Sequence, residues 1–94
     1  MTMKILLEGT GPFKEYLGDN AVEVEMPNSA IVADLYPLID ELWGSILPAH
    51  IWNSAKQKFR GAVIVFLNGS IIQDLNQRLN DGDHIQLVKA LTGG

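Results

Sequence analysis

The sequence predicts an α+β fold, in which a mixed four- to five-stranded sheet is covered by one main helix and an extra helical segment. Segments with apolar residues at every second position, a pattern typical of strands, lie towards both ends of the chain. Between them, apolar residues recur every three or four positions over 31–42, as in a helix that covers one face of a sheet. The length of 94 residues suits one domain and is too short for two. We therefore expect a single core.

Two strands are predicted near the start of the chain. Residues 3–8 contain a short apolar run between Lys4 and Glu8, and over 21–26 three apolar residues alternate with Glu23 and Glu25. This alternation predicts that one face of the second strand lies in solvent. The intervening segment, 9–20, is rich in turn-forming residues and is predicted to be a loop or a loose hairpin connection.

The main helix is predicted to follow Pro27, with Ser29 as its N-cap and Gly44 at its end. Pro37 interrupts this segment, and a proline inside a regular helix costs about 3 kcal/mol because it removes an amide donor and clashes one turn back. The helix therefore either kinks or restarts at this residue. The predicted apolar stripe comprises Ile31, Leu35, Leu38, Ile39 and Leu42.

A second short helix is predicted within residues 45–60. Pro48 suits its first turn, and Ile51, Trp52, Ala55 and Phe59 supply an apolar side. We expect Trp52, like Trp43 of the main helix, to pack beneath the helical segments.

The second half of the chain predicts three further strands. Residues 62–67 form a continuous apolar run, Asn68-Gly69 has turn chemistry, and Ile71-Ile72 follows as a short strand. Asp81-Gly82-Asp83 is predicted to be a tight turn into a last strand over 84–88. We interpret these two aspartates as turn residues, in preference to a catalytic pair.

Ile64 and Phe66 point away from the other apolar residues of their strand, because side chains alternate between the two faces. If the last strand is a neighbour, Ile64, Phe66 and Val88 form an apolar patch near the C-terminal end, and such patches mark partner surfaces. The alternative is that residues 45–60 fold over this face and make it part of the core. Both hypotheses remain open from the sequence.

The composition excludes several classes of function. A net charge of −4 and a pI near 4.9 disfavour nucleic acid and anionic membranes as partners, and favour a basic protein partner. The chain has no cysteine, so it has no thiolate metal site, no cysteine nucleophile and no persulfide of its own. The apolar run between Lys4 and Glu8 is shorter than the apolar core of a signal peptide or a membrane span, which predicts a cytoplasmic protein.

The remaining titratable residues point to no site of their own. His50 and His84 are far apart and lack ligands at metal-binding spacing, so no metal site is predicted and both are expected to face solvent. Lys89, the basic residue close to the C-terminal end, is interpreted as a solvated side chain.

The segment VIVFLNGSIIQDLNQRLNDGDHIQLVKALTGG resembles the C-terminal half of the sulfur carriers MoaD and ThiS. MKILLEG is similar to the first strand of this family and SAIVADLYPLI to its first helix, so that the resemblance covers the chain apart from 45–60. It implies that residues 1–94 form a single ubiquitin-like β-grasp domain with a flexible Gly-Gly tail at the C-terminus.

The resemblance also implies a reaction cycle. In this family, a ubiquitin-activating-type adenylyltransferase uses ATP and Mg to adenylate the terminal carboxylate, here that of Gly94. A sulfur donor then displaces AMP, and the thiocarboxylate delivers sulfur at an acceptor synthase subunit. The carrier is thus a co-substrate without a tightly bound cofactor, and it could be the small subunit of a synthase complex. Gly93 and Gly94 place no side chain near the reacting carbon, and Leu91-Thr92 favours an extended tail.

Several alternatives remain open. MoaD proteins tend to carry an aromatic-proline run before the tail, whereas this chain has Val88-Lys89-Ala90-Leu91, so molybdopterin and thiazole pathways are both retained. A protein modifier would join the same activated carboxyl group to a lysine. A β-grasp interaction module would use the sheet face and never react. An enzyme in its own right is disfavoured, because the sequence offers no constellation of nucleophile and base.

Overall fold

The protein is built on a mixed sheet, and its computed structural model describes residues 1–72 and 74–89. The strands are β1 (Thr2–Gly9), β2 (Val22–Pro27), β3 (Trp52–Asn53), β4 (Lys58–Phe59), β5 (Val63–Leu67), β6 (Ser70–Ile71) and β7 (His84–Lys89). The helices are α1 (Lys14–Leu17) and α2 (Leu35–Trp43), and short 3-10 turns occupy Gly11–Phe13 and Val32–Asp34. Five strands form one sheet in the order β2-β1-β7-β5-β6, while β3 and β4 form a separate ribbon. Only the β1–β7 pair of this sheet is parallel, so the predicted α+β class with a mixed sheet is confirmed.

The core lies between α2 and one face of the sheet. Since side chains alternate across a strand, every second residue of β1 and β7 points to this face, and Ile5, Leu7 and Ile85 are fully buried there. Each such side chain contributes about 1.5–3 kcal/mol through its removal from water. The helix contributes Leu35, Ile39 and Trp43 to the same core.

The main helix begins later than the sequence indicates. Its first residue is Leu35, directly after the 3-10 turn, so Pro37 falls in the first helical turn. An amide at that position has no acceptor within the helix, so proline costs nothing there. Neither predicted alternative, a kink or a restart at Pro37, is therefore observed, because the α-helix begins two residues earlier.

Two further details of the helix prediction are wrong. Ser29 lies six residues before the first residue of α2 and does not cap it; instead, the Asp34 carboxylate accepts a hydrogen bond from the backbone N–H of Ile31 at 2.9 Å. Leu42 is 42% exposed, and Trp43 is buried in the core beside it. The apolar face is thus rotated relative to the predicted stripe.

The predicted helix over 45–60 is also wrong. This segment contains the antiparallel ribbon of β3 and β4, in which Trp52 lies opposite Phe59. Trp52 is buried, as predicted, and its indole N–H donates to Asp40 Oδ1 of α2 at 2.8 Å. The ring of Phe59 lies 4.8 Å from that of Trp52, centroid to centroid. The extra helical segment of the fold is α1 instead, inside the region predicted to be a loop.

Two turns fix the strands that carry the C-terminal end. Asn68 and Gly69 have φ values of 50° and 86°, which a two-residue hairpin turn requires, so the predicted turn is confirmed. At the second turn, Asp81 Oδ1 accepts from the backbone N–H of Lys4 at 2.7 Å, and the N–H of Gly82 donates to the Lys4 carbonyl at 2.7 Å. The second turn therefore holds the start of β7 beside β1.

Candidate functional site

The face of the sheet opposite the core brings the three predicted patch residues together. Ile64 pairs with Val88 and Phe66 pairs with Gln86, so the side chains of Ile64, Phe66 and Val88 share this face. All three are half-buried and lie outside the buried core cluster. They form the centre of the candidate site.

Residues 45–60 do not cover this face. The ring of Phe59 packs at 5.4 Å from Phe13 and 6.3 Å from Tyr36, both of which belong to the helix side of the molecule. Trp52 is tied to α2 through Asp40 on that side. The alternative in which the segment turns Ile64 and Phe66 into core is therefore wrong.

Ile71 extends the patch and was missed by sequence reasoning. It pairs with Phe66 across β5 and β6 and is 56% exposed. Ile64, Phe66, Ile71 and Val88 are called the open-face patch below. The signal in the sequence is that Ile71 and Ile72 are neighbours, so their side chains point to opposite faces of the sheet. Ile72 is half-buried and packs against the core, which leaves Ile71 on the open face.

A polar cluster borders the open-face patch where β1 and β7 run in parallel. Glu8 lies opposite Gln86 in the register, and its Oε1 accepts from Gln86 Nε2 at 2.9 Å and lies 3.0 Å from His84 Nε2. The hydrogen bond from Gln86 lowers the pKa of Glu8, and His84 and the more distant charge of Lys14 act in the same direction. His84 was predicted to face solvent freely; it is instead partly exposed and paired with Glu8.

Leu6 lies on the far side of this polar cluster. It is opposite His84 in the register and is 37% exposed. Period-two counting along β1 could have identified it, because Leu6 is the apolar member of the outward set Lys4, Leu6 and Glu8. The open face thus carries apolar side chains on both sides of a hydrogen-bonded carboxylate.

The strand that leads to the C-terminal end borders the open-face patch. Lys89, the last residue of β7, pairs with Val63, one position beyond the pair of Ile64 with Val88. Leu91, Thr92, Gly93 and Gly94, the tail and the reactive group predicted from the sequence, lie outside the described residues. The open-face patch therefore adjoins the end of β7, which residues 90–94 follow.

The other polar residues considered have structural roles or are exposed. Asp83 is 7% exposed; its carboxylate accepts from Asn68 Nδ2 at 3.0 Å and from the Asn80 N–H at 2.7 Å, which locks the two turns together. His50 is exposed. Within residues 1–72 and 74–89, no three potential metal-ligating side chains come together.

A helix that spans a membrane needs about 20 consecutive, predominantly apolar residues. In the part of the chain that the structure describes, neither α1 nor α2 meets these requirements.

The fold is that of ubiquitin-like β-grasp proteins. The structure matches ubiquitin of Caldiarchaeum subterraneum with a TM-score of 0.57 and 16% identity, covering 100% of both chains. It matches small archaeal modifier protein 1 of Haloferax volcanii with a TM-score of 0.76 and 17% identity, covering 95% of this chain and 99% of the other.

A third match is to the complex of subunits 1 and 2 of the molybdopterin-converting factor from Helicobacter pylori. Its TM-score is 0.62 at 23% identity, and it covers 98% of this chain and 100% of the other. Identities of this size show similarity of fold. A search of curated protein sequences finds no match.

The sequence itself supplies the family. The model of the ThiS family matches residues 10–94, which include every strand of the five-stranded sheet except β1, the open-face patch and the terminal diglycine. The protein is therefore a member of the ThiS family of ubiquitin-like sulfur carriers.

Proposed function

We propose that this protein is a sulfur carrier whose Gly94 carboxylate is adenylated by a partner enzyme and converted to a thiocarboxylate. The sulfur then serves cofactor or thio-metabolite biosynthesis of the molybdopterin or thiazole type. The observation that carries the proposal is the ThiS family match, which extends through the Gly93-Gly94 end. The open-face patch, which adjoins the strand leading to that end, supports it.

The proposed chemistry explains why a partner must act first. A carboxylate is a poor electrophile, so one of its oxygens attacks the α-phosphorus of ATP, and pyrophosphate leaves with Mg bound to the phosphates. The product is a mixed anhydride of Gly94 and AMP. Hydrosulfide, supplied by a sulfur donor, attacks the carbonyl carbon, and AMP departs with the bonding electrons. The terminal oxygen is thus replaced by sulfur without a net redox change.

In this proposal the carrier contributes binding, and the partner contributes catalysis. A tail that becomes ordered in a partner channel loses conformational entropy, so the folded body must supply much of the affinity. The open-face patch offers apolar side chains for this purpose, with Phe66 at its centre. We propose that Ile64, Phe66 and Val88 bind the adenylyltransferase and then the acceptor synthase subunit. Subunit 1 of the H. pylori factor, a protein of the same fold, forms a complex with a second subunit.

Intact-mass spectrometry tests the proposal. The purified protein is incubated with the ubiquitin-activating-type adenylyltransferase of its source genome, Mg-ATP and sulfide. We expect its mass to rise by the difference between sulfur and oxygen, and the change to require ATP. A matched variant with Gly94 deleted should keep its original mass. An unchanged mass of the full chain in the presence of active enzyme would contradict the proposal.

A second candidate function is protein modification through Gly94. It is favoured by the similarity of fold to ubiquitin and to small archaeal modifier protein 1. In that case, the adenylated carboxyl group would be attacked by a lysine amine instead of hydrosulfide. Slower-migrating conjugates that disappear when Gly94 is deleted would identify this function.

A further inference from the structure

The charges of the chain are distributed unevenly. None of its 11 acidic residues lies between positions 42 and 73, whereas three of its 7 lysines and arginines do. These three are Lys56, Lys58 and Arg60, and all are exposed. They lie in or beside the β3–β4 ribbon, and residues 52–60 are called the basic hairpin below.

The packing of the basic hairpin directs its cations outwards. Phe59 faces inwards, where its ring contacts those of Phe13 and Trp52. Because side chains alternate along a strand, its neighbour Lys58 points away from the body, and Arg60, directly after β4, is exposed as well. Neither of the two ion pairs among the described residues involves them. The hairpin thus presents positive charge that the described part of the chain leaves unneutralised.

The basic hairpin lies at the end of the sheet from which residues 90–94 follow. Arg60 is three residues before Val63, the partner of Lys89 in the sheet. The hairpin also contacts the segment that follows β1, because the ring of Phe59 packs against that of Phe13. Phe13 is three residues after Thr10, and the backbone N–H of Thr10 donates to the Leu87 carbonyl of β7 at 3.1 Å.

Two more exposed cations, Lys14 and Lys89, lie at this end. Five of the chain's 7 lysines and arginines are therefore gathered around the exit of the tail, although the net charge is −4.

We propose that the basic hairpin docks on an acidic protein surface beside the tail-binding channel of the activating enzyme, an inference that rests on the proposed function. Charge complementarity at an interface orients the two proteins and speeds their encounter. A hairpin docked beside the end of β7 would fix the orientation of the carrier about its tail. The open-face patch would then bind the enzyme in that orientation.

Distance disfavours the phosphates of ATP as the hairpin's ligand. If residues 90–94 are held extended in the channel of the activating enzyme, they span about 18 Å, which would place a nucleotide at Gly94 beyond the reach of a lysine on the hairpin. Polymeric RNA is disfavoured as well, because a long polyanion would also meet the acidic remainder of the chain. A compact acidic patch on a protein fits both restrictions.

Steady-state kinetics of pyrophosphate release tests this docking, with carrier concentration as the variable. We compare a Lys58→Glu/Arg60→Glu variant with a Lys4→Glu/Arg78→Glu control, which makes the same change in net charge at the opposite end of the sheet. We expect the hairpin variant to raise the KM for the carrier about tenfold with little change in kcat, and the effect to shrink at high salt. The control should stay within about twofold. A Lys58→Gln/Arg60→Gln variant, which removes the two charges without reversing them, should give an intermediate KM. It takes the place of the Lys58→Glu/Arg60→Glu variant if the latter misfolds.

The outcomes separate the two proposals. Pyrophosphate release by the wild type with equal KM values for hairpin and control variants would overturn the docking and leave the carrier function intact. Binding of bulk transfer RNA that the hairpin variant loses, with an unchanged KM, would overturn it in favour of an RNA surface. Absence of pyrophosphate release by the wild type would refute the carrier function, and the docking with it.

Discussion

Glu8, like Asp40, is a carboxyl group whose ionisation the fold favours. Its pKa lies below 4.5 because Gln86 and His84 hydrogen-bond the carboxylate. The ionised form therefore stabilises the folded state above pH 4.5, and this contribution is lost as the pH falls through the lower, folded-state pKa. We expect Glu8→Gln to be less stable than the wild type at neutral pH, with a difference that narrows in acid. Urea unfolding at a series of pH values measures this.

Gln86→Ala provides the matched control for Glu8. It removes the hydrogen bond that lowers the pKa most and leaves the carboxylate in place. Its free energy of unfolding should therefore fall less steeply with acid than that of the wild type. If the free energy of unfolding depended on pH in the same way for the wild type and both variants, the hydrogen bonds of Glu8 would not contribute to stability.

Phe66 is the residue of the open-face patch from which we expect the largest effect on binding. Its ring lies between Ile71 on one neighbouring strand and Gln86 on the other. We expect Phe66→Ala to weaken binding to the adenylyltransferase about tenfold, equivalent to about 1.4 kcal/mol, as for a central aromatic contact. Calorimetric titration measures it, and Ile46→Ala, at a 55% exposed site outside the sheet, is the control. Equal affinities for the two variants would remove Phe66 from the interface.

The β3–β4 ribbon shows why an element can be misassigned from a local pattern. Trp52, Ala55 and Phe59 recur every three or four residues, which is the spacing of a helix. In the structure Trp52 and Phe59 are cross-strand partners, and the turn between them includes Gln57 at a φ of 50°. The deciding contacts are with Phe13 and Asp40, which are distant in sequence. Tertiary packing overrides local periodicity here.

The ribbon is held to the body by Trp52, which is buried and donates to Asp40 of α2, and by Phe59. The half-buried ring of Phe59 makes edge contacts with three other aromatic rings. We expect Phe59→Ala to lower the free energy of unfolding by about 2 kcal/mol through lost burial and ring contacts. Leu42→Ala, at a 42% exposed site, should change it by less than about 0.5 kcal/mol. Thermal or urea unfolding of the two variants measures the difference, and equal losses would show that the ribbon is not anchored through this ring.

At the scale of the whole molecule, the sequence predicts strands well and their long-range neighbours less well. The alternation in β2 and the Asn68-Gly69 turn identify their elements directly, because each depends on adjacent residues. The parallel pairing of β1 with β7 joins residues such as Glu8 and Gln86 from opposite ends of the chain. Local patterns therefore do not reveal the polar cluster they form, and the net charge of −4 does not reveal the basic hairpin because it sums over the whole chain.

In the proposed function, the carboxyl group of Gly94 is the group on which the partner enzymes act. The most direct test is tandem mass spectrometry of the tryptic peptide that follows Lys89, from protein purified out of its own cells. We expect the peptide to end at Gly94 and a fraction of it to carry sulfur in place of one terminal oxygen. A peptide that continues past Gly94, or one that ends there and never carries sulfur in sulfur-replete cells, would contradict the proposed function.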